Sequence, residues 1–422
     1  MCQASACRQL SAAPVCDFVL TTTARLAATP GGPPAIPATR AGSVRPVVVE
    51  ASSEERERLV AEFVRLCEIE SPSGRERAMA DAVSEELRGL GLEVEEDDTA
   101  EETGAGAGNL LARIPGPEGA RTILLCAHID TVPLDGPVQV LRQDGVLTNR
   151  HQAILGADNK AAIATMLGAA RRLVRDEAPV EVELLFTTSE ERALRGAKAF
   201  DRGRLRADFG FVFDHASPIG EIVVASPTYY RLAASFRGQA AHAGIRPEAG
   251  ANAIAAAAKA IAKMRIGRLD AETTANVGRI EGGTAANVVA ERCTVELEAR
   301  SLDDARAGEV VSEMVDACGE AASDGHCDVE TSLERLFQGY RLTRTSAQVE
   351  TAAAALAACG IEPVYISTGG GSDANALIAA GLPMVNVANG TESNHQPDES
   401  VAEDALETML DVTLAIVAEA AR

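Results

Sequence analysis

Basic residues are scarce in this 422-residue chain: 39 lysines and arginines stand against 62 aspartates and glutamates, a formal net charge of −23. Nowhere do they gather into a patch, which argues against a nucleic-acid partner or an anionic membrane surface, since both reward concentrated positive charge. The same surplus of carboxylates favours divalent cations. A long apolar run is also missing, and no window reaches the length of a membrane span. The nine cysteines fall singly, without a C-x-x-C pair. That suits a reducing compartment, the cytoplasm, better than a disulfide framework. Residues 1–52 lack hydrophobic periodicity: "LAATPGGPPAIPATRAG" is typical of their Ala/Pro/Thr-rich composition, which buries too little surface to order itself. "PVCDFVLTTTARLAA" is too short and too polar for a secretion signal and only faintly like a transit peptide. A disordered extension, or a start assigned too early, is the expectation there.

What is present is regular. The length exceeds one ordinary core, so two domains are expected. "EERERLVAEFVRLCEI" and "GRERAMADAVSEELRGLG" carry apolar residues at helical spacing. Strand-like runs then alternate with helical ones: "RTILLCAH", "NKAAIATMLGAARRLVRD", "VEVELLFTT", "RGAKAF", "FGFVFD". This alternation predicts an α/β fold, a mostly parallel sheet covered by helices over 53–226, with ligands gathered outside the carboxyl ends of its strands. Between 227 and 335 the order becomes β-α-β-β-α-β, a ferredoxin-like α+β unit read as an inserted lid domain. The first pattern resumes over 336–422.

"LLCAHIDTVP", residues 124–133, ends an apolar strand on His128-Ile129-Asp130. Alone, such an ending is often only a hydrogen-bonded edge. Further acidic and imidazole groups stand at other element ends: Asp158 in "ILGADNKAA", Glu190 and Glu191 in "TTSEE", Asp214 in "FVFDH" and His395 in "ESNHQPDE". Each is expected to follow a different strand of the parallel pattern and to face one edge of the sheet. Carboxylates crowded into one cleft would raise each other's pKa unless positive charge lay between them, and a pair of divalent metals resolves the conflict. Two histidines with three carboxylates, one of them bridging, form the mixed donor set that zinc accepts. The glutamate left over from the Glu190-Glu191 pair is then free to act as a base.

These motifs, in this order from about residue 55 to 422, resemble the dinuclear zinc peptidases and amidohydrolases that include aminoacylase, glutamate carboxypeptidase and peptidase T. "HIDTVP", "ILGADNKA", "TTSEE", "FVFDH" and "STGGGSDANAL" are most similar to the peptidase T branch. The resemblance implies that His128, Asp158 and Asp214 hold one Zn²⁺ and Asp158, Glu191 and His395 the other, with Co²⁺ or Mn²⁺ as substitutes. It makes Glu190 the general base and Asp130 the carboxylate that orients His128. It also implies that His242 in "GQAAHAGIRPEAGANA" stabilises the oxyanion from its own chain or from a partner's, and that Asn287, Arg300, Gly370 and Ser372 contact substrate, with a homodimer formed through the lid. Asn159, where many relatives have aspartate, and the "NHQPDE" ending depart from the pattern; the second leaves His395 the weakest ligand. His151, His215, His326 and Cys126 are assigned no role.

The resemblance favours removal of an N-terminal residue from short peptides. An N-acyl-amino-acid deacylase or dipeptidase of the same architecture is the alternative, and a catalytically inactive metal- or peptide-binding protein is the alternative of another class. An intact Glu190 argues against the last. In the resembled family, aspartate at the position of Asp214 goes with aminopeptidases and dipeptidases.

Overall fold

The computed structural model describes residues 50–216 and 218–422. The expectation for the first 52 residues therefore lies almost wholly outside the described residues. The first described helix, Ser53–Cys67, is started by a capping box: the Ser52 hydroxyl accepts from the Glu55 N–H while the Glu55 carboxylate accepts from the Ser52 N–H. Both orphan donors of the first turn are thereby used.

Four strands, Glu181–Thr187, Thr122–His128, Phe209–His215 and Met384–Ala388, lie side by side and parallel. Each is a nearly unbroken run of buried residues, mostly apolar, as strands covered on both faces must be. Alternation along Thr122–His128 sends Ile123, Leu125 and Ala127 to one hydrophobic cluster and Leu124 and Cys126 to another. The helices Ser53–Cys67, Ala157–Asp176, Ala347–Ala358 and Glu403–Ala420 contribute to the first cluster, and the helix Asp373–Ala379 to the second. A Cβ on Gly210 would fall 2.7 Å from that of Leu124, so glycine is what lets the neighbouring strand pass.

The sheet is mixed, not parallel throughout. Val94–Glu96 and Leu110–Ile114 add antiparallel strands on one side, and Glu221–Ser226 with Tyr340–Arg341 does so on the other, to make nine strands with Val364–Ser367.

Thr228–Arg237, Thr273–Gly282, Arg292–Ser301 and Asp328–Phe337 form a separate antiparallel sheet, with Gly267–Arg268 at its edge. Alternating burial along these strands turns Leu232, Ala234, Val295 and Leu297 toward the helices Ala253–Lys263 and Asp304–Asp324, giving this unit a hydrophobic core of its own.

A third sheet had no counterpart in the sequence reading. Val140–Gln143 and Val146–Asn149 form a hairpin, extended by Ser400–Ala402 and Thr391–Glu392. Its signal was legible in Asp144-Gly145, both at positive φ (52° and 78°) as a tight two-residue hairpin turn requires. No helix among the described residues is long and apolar enough to cross a membrane.

Candidate metal centre

Parallel strands end together, so the residues that close them share one rim. His128 ends Thr122–His128, Asp214 is the penultimate residue of Phe209–His215, and Glu190 and Glu191 open a short turn just beyond Glu181–Thr187. Asp158 and His395 arrive differently, which corrects the expectation that every such residue follows a parallel strand. Asp158 opens the long helix after the small hairpin, and His395 lies in the loop between two strands of the small sheet. Glu399, 1% exposed, fixes the approach of Asp158 by accepting from the N–H groups of Gly156 (2.7 Å) and Asp158 (2.9 Å).

The Asp158 carboxylate faces both ways. Its Oδ1 is 3.2 Å from His128 Nε2, and its Oδ2 is 3.2 Å from His395 Nε2. Asp214 Oδ1 lies 3.5 Å from the same His128 nitrogen, and Glu191 Oε1 lies 2.9 Å from the His395 nitrogen. Two donor sets result, His128–Asp158–Asp214 and Asp158–Glu191–His395, sharing one residue. His128 with Glu190 and Glu191 forms a third grouping, but it would draw one donor away from each of the other two. The first two use both histidines and leave Glu190 free. Nitrogen and carboxylate donors in this mixture fit two divalent cations.

The charges in this space strain against each other. Burial, then repulsion from Asp214, drives the Glu190 carboxyl well above its usual range. Burial likewise pushes Asp214 up to about 7 and raises Glu191. Burial would also raise Asp158, yet hydrogen bonds from His128 and His395 hold it well below the carboxylate range. Hydrogen bonds to Asp158 and then Glu191 lift His395 to about 10. For His128, burial opposes the charge, but Asp214, Asp130 and Asp158 outweigh it and raise the imidazole well above its ordinary value.

Without metal, His395 at about 10 keeps its proton at pH 7, and the His128 imidazole is shifted in the same direction, so an arriving cation competes with protons for these nitrogens. Metal affinity should rise with pH, and binding at pH 7 should release protons. Calorimetry in buffers of different ionisation heats measures this, and metal binding without proton release would contradict these protonation states.

Asp130 meets His128 with both its main chain and its side chain. His128 Nδ1 meets the main-chain carbonyl of Asp130 at 3.0 Å, while the Asp130 carboxylate stands 3.5 Å away. That carboxylate also accepts from Ser73 Oγ (2.6 Å) and from the N–H groups of Glu190 (2.9 Å) and Glu191 (3.3 Å). It holds the turn that carries both glutamates.

The expected substrate contacts divide. Arg300 lines a cleft of about 540 Å³ that runs from Glu190 and Glu191 to the second sheet. Its guanidinium lies 4.0 Å from the Tyr229 ring centroid and pairs with Glu298 at 3.1 Å. Gly370 and Ser372 carry local bonds: the Gly370 N–H donates to Thr368 Oγ1 and its carbonyl accepts from Ser226 Oγ, while buried Ser372 donates its N–H to Asn375 Oδ1 at the start of a helix. These groups are already engaged, and Gly371 lines the cleft. His242 and Asn287 lie together in the second sheet's connections: His242 Nδ1 accepts from the Gly244 N–H, and the Asn287 carbonyl accepts from the Ala243 N–H. Among the described residues neither has a hydrogen bond or ion pair to the metal-centre side chains.

Asp373 and Glu399 were missed by the sequence reading. Asp373 is buried beside Thr187, to which it is hydrogen-bonded, and burial lifts its carboxyl to about 6. An acid in the first turn of a helix reads as an ordinary complement to the helix dipole, and Glu399 reads as one acid among 62.

An α/β scaffold that gathers two nitrogen–oxygen donor sets around one shared carboxylate, with a free glutamate beside them, defines a hydrolase of the two-cation class. Residues 124–419 match the profile of peptidase family M20/M25/M40. The chain belongs to that family. It is 38% identical to the uncharacterized protein YqjE of Bacillus subtilis over 86% of this chain and 99% of that protein. The solved aminopeptidase PepT of Bacillus cereus is 39% identical, with a TM-score of 0.80, and the solved tripeptidase of Staphylococcus aureus is 33% identical, with a TM-score of 0.83. In both comparisons 87% of this chain and 99% of the other are covered.

Proposed function

We propose that the chain is an aminopeptidase that removes the N-terminal residue of short peptides. The observation that carries this reading is the pair of donor sets sharing Asp158, with Glu190 unengaged, in a chain 39% identical to a solved aminopeptidase. Zn²⁺ suits the nitrogen–oxygen donor set, with Co²⁺ or Mn²⁺ as substitutes. His128, Asp158 and Asp214 would hold one ion and Asp158, Glu191 and His395 the other, and together the ions would supply Lewis acidity that polarises the scissile carbonyl and acidifies the attacking water.

The protein's own groups do the rest. Glu190 takes the proton of the attacking water and returns it to the leaving amine; burial and the charge of Asp214 move its proton affinity in the direction such a base needs. Asp130, by holding the Glu190 and Glu191 main chain, keeps that base aimed. Arg300 pairs with a peptide carboxylate in the cleft. His242 and Asn287 reach the reacting carbonyl through lid closure or from the partner of a homodimer formed through the second sheet. The six cysteines among the described residues are all free, which supports a cytoplasmic setting.

Free-amine peptides should be cleaved at least about tenfold faster, by kcat/KM, than their N-acetylated counterparts. A tenfold preference for the acetylated peptides would replace this reading with the deacylase alternative. Metal-loaded protein that binds both kinds and turns over neither would mark an inactive binding protein.

A further inference from the structure

In a chain of net charge −23, the cleft beside the centre is lined by five basic residues, Arg192, Arg195, Lys198, Arg231 and Arg300, and beyond Glu190 and Glu191 by one acid, Glu334. Two of the five already pair with carboxylates. Arg231 pairs with Glu334 at 2.7 Å, Arg300 pairs with Glu298, and Arg192 donates to the Ser73 carbonyl. Arg195 donates one nitrogen to the Thr103 carbonyl, and Lys198 is attracted by Glu334 without an ion pair to it among the described residues. The two are three residues apart on the helix Arg195–Ala199, so their side chains share a face. Desolvation pulls the pKa of Lys198 down, a cost that an incoming carboxylate would relieve. The floor below them is apolar, formed by Leu194, Leu336 and Phe337.

We propose that Lys198 and Arg195 form a subsite for an acidic side chain on the residue that follows the scissile bond. This rests on the aminopeptidase reading and names its substrate class. The free amine of a peptide is drawn toward the carboxylates of the centre and repelled by this basic wall, so the wall faces the leaving half of the substrate. Arg300 would exchange Glu298 for the terminal carboxylate, and the helix pair reads a second negative charge.

The test compares Ala-Glu-Ala with Ala-Gln-Ala, which share size and terminal carboxylate and differ in one charge. At low ionic strength the metal-loaded enzyme should favour the glutamate peptide by about tenfold in kcat/KM, as a partly desolvated ion pair allows, and salt should erode that preference. The Lys198→Met/Arg195→Met double variant should bring the ratio within about twofold of unity, and Lys198→Glu should invert it. Equal rates for the two peptides in the wild type, or a preference that survives the double variant, would overturn the proposal. Calorimetric binding of both peptides to metal-loaded Glu190→Gln protein reads the same ratio without turnover. Tighter binding of the glutamate peptide with no cleavage by the wild type would therefore sink the aminopeptidase reading and leave the acidic subsite standing.

Discussion

Glu190→Gln should lower kcat by about 10³- to 10⁴-fold while leaving fold, metal content and peptide binding nearly intact. The amide keeps the size of the carboxylate and can still hydrogen-bond to water, but it cannot accept a proton. Glu190 belongs to neither of the two donor sets that share Asp158, so both cations should remain. Its main-chain N–H, held by Asp130 at 2.9 Å, is untouched by the change. Initial rates with saturating peptide, beside metal analysis and a thermal melt, separate the chemical loss from a structural one. A variant with near-normal kcat would assign the base elsewhere. One that lost a cation would make Glu190 a ligand, as the third grouping with His128 and Glu191 allows.

Asp158→Ala should have the other large effect, lowering metal content from about two ions per chain to nearly none and abolishing turnover. The reason is geometric: one oxygen of this carboxylate faces His128 and the other faces His395, each at 3.2 Å. Removing it takes a donor from both sets and leaves the two imidazoles without the carboxylate they share. Asp214→Ala, which touches one set alone, should cost one ion first. Loss of a single ion from the Asp158 variant would mean that the carboxylate serves one site and that the bridge lies elsewhere.

The difference between what was legible and what was not follows from how each residue reaches the centre. His128 and Asp214 close apolar strands, and Glu190 and Glu191 stand just past another. A run of buried residues ending on a polar one is visible without any structure, and parallel pairing then carries the ends to one rim. Asp158 and His395 were found by their motifs, but their paths were misread because both depend on the small sheet, whose hairpin rests on a two-residue turn and whose other strands are only two and three residues long. Long-range accounting was invisible. Nothing local distinguishes Glu399, which secures the Asp158 main chain from 241 residues away, or reveals that the Asp130 carboxylate would hold the turn of Glu190 as well as face the ring of His128. The local bonds of Ser372 and Gly370 were equally invisible. Their motif looks available for substrate, yet the fold spends its donors and acceptors on Asn375, Thr368 and Ser226.

The second sheet was legible as a unit because its strands alternate buried and exposed residues and its helices are amphipathic, which signals a core of its own. Its relation to the chemistry was not. His242 and Asn287 make no contact with the centre within the described chain, and a sequence carries no record of lid closure or of a second copy.

The central claim is that two cations share the carboxylate of Asp158. Anomalous diffraction at the zinc edge, from crystals of protein purified without chelator and supplied with zinc, tests it most directly. The account predicts two peaks, one against His128 and Asp214 and one against Glu191 and His395, with the Asp158 carboxylate between them. A single peak, or none, in crystals of fully active enzyme would contradict it.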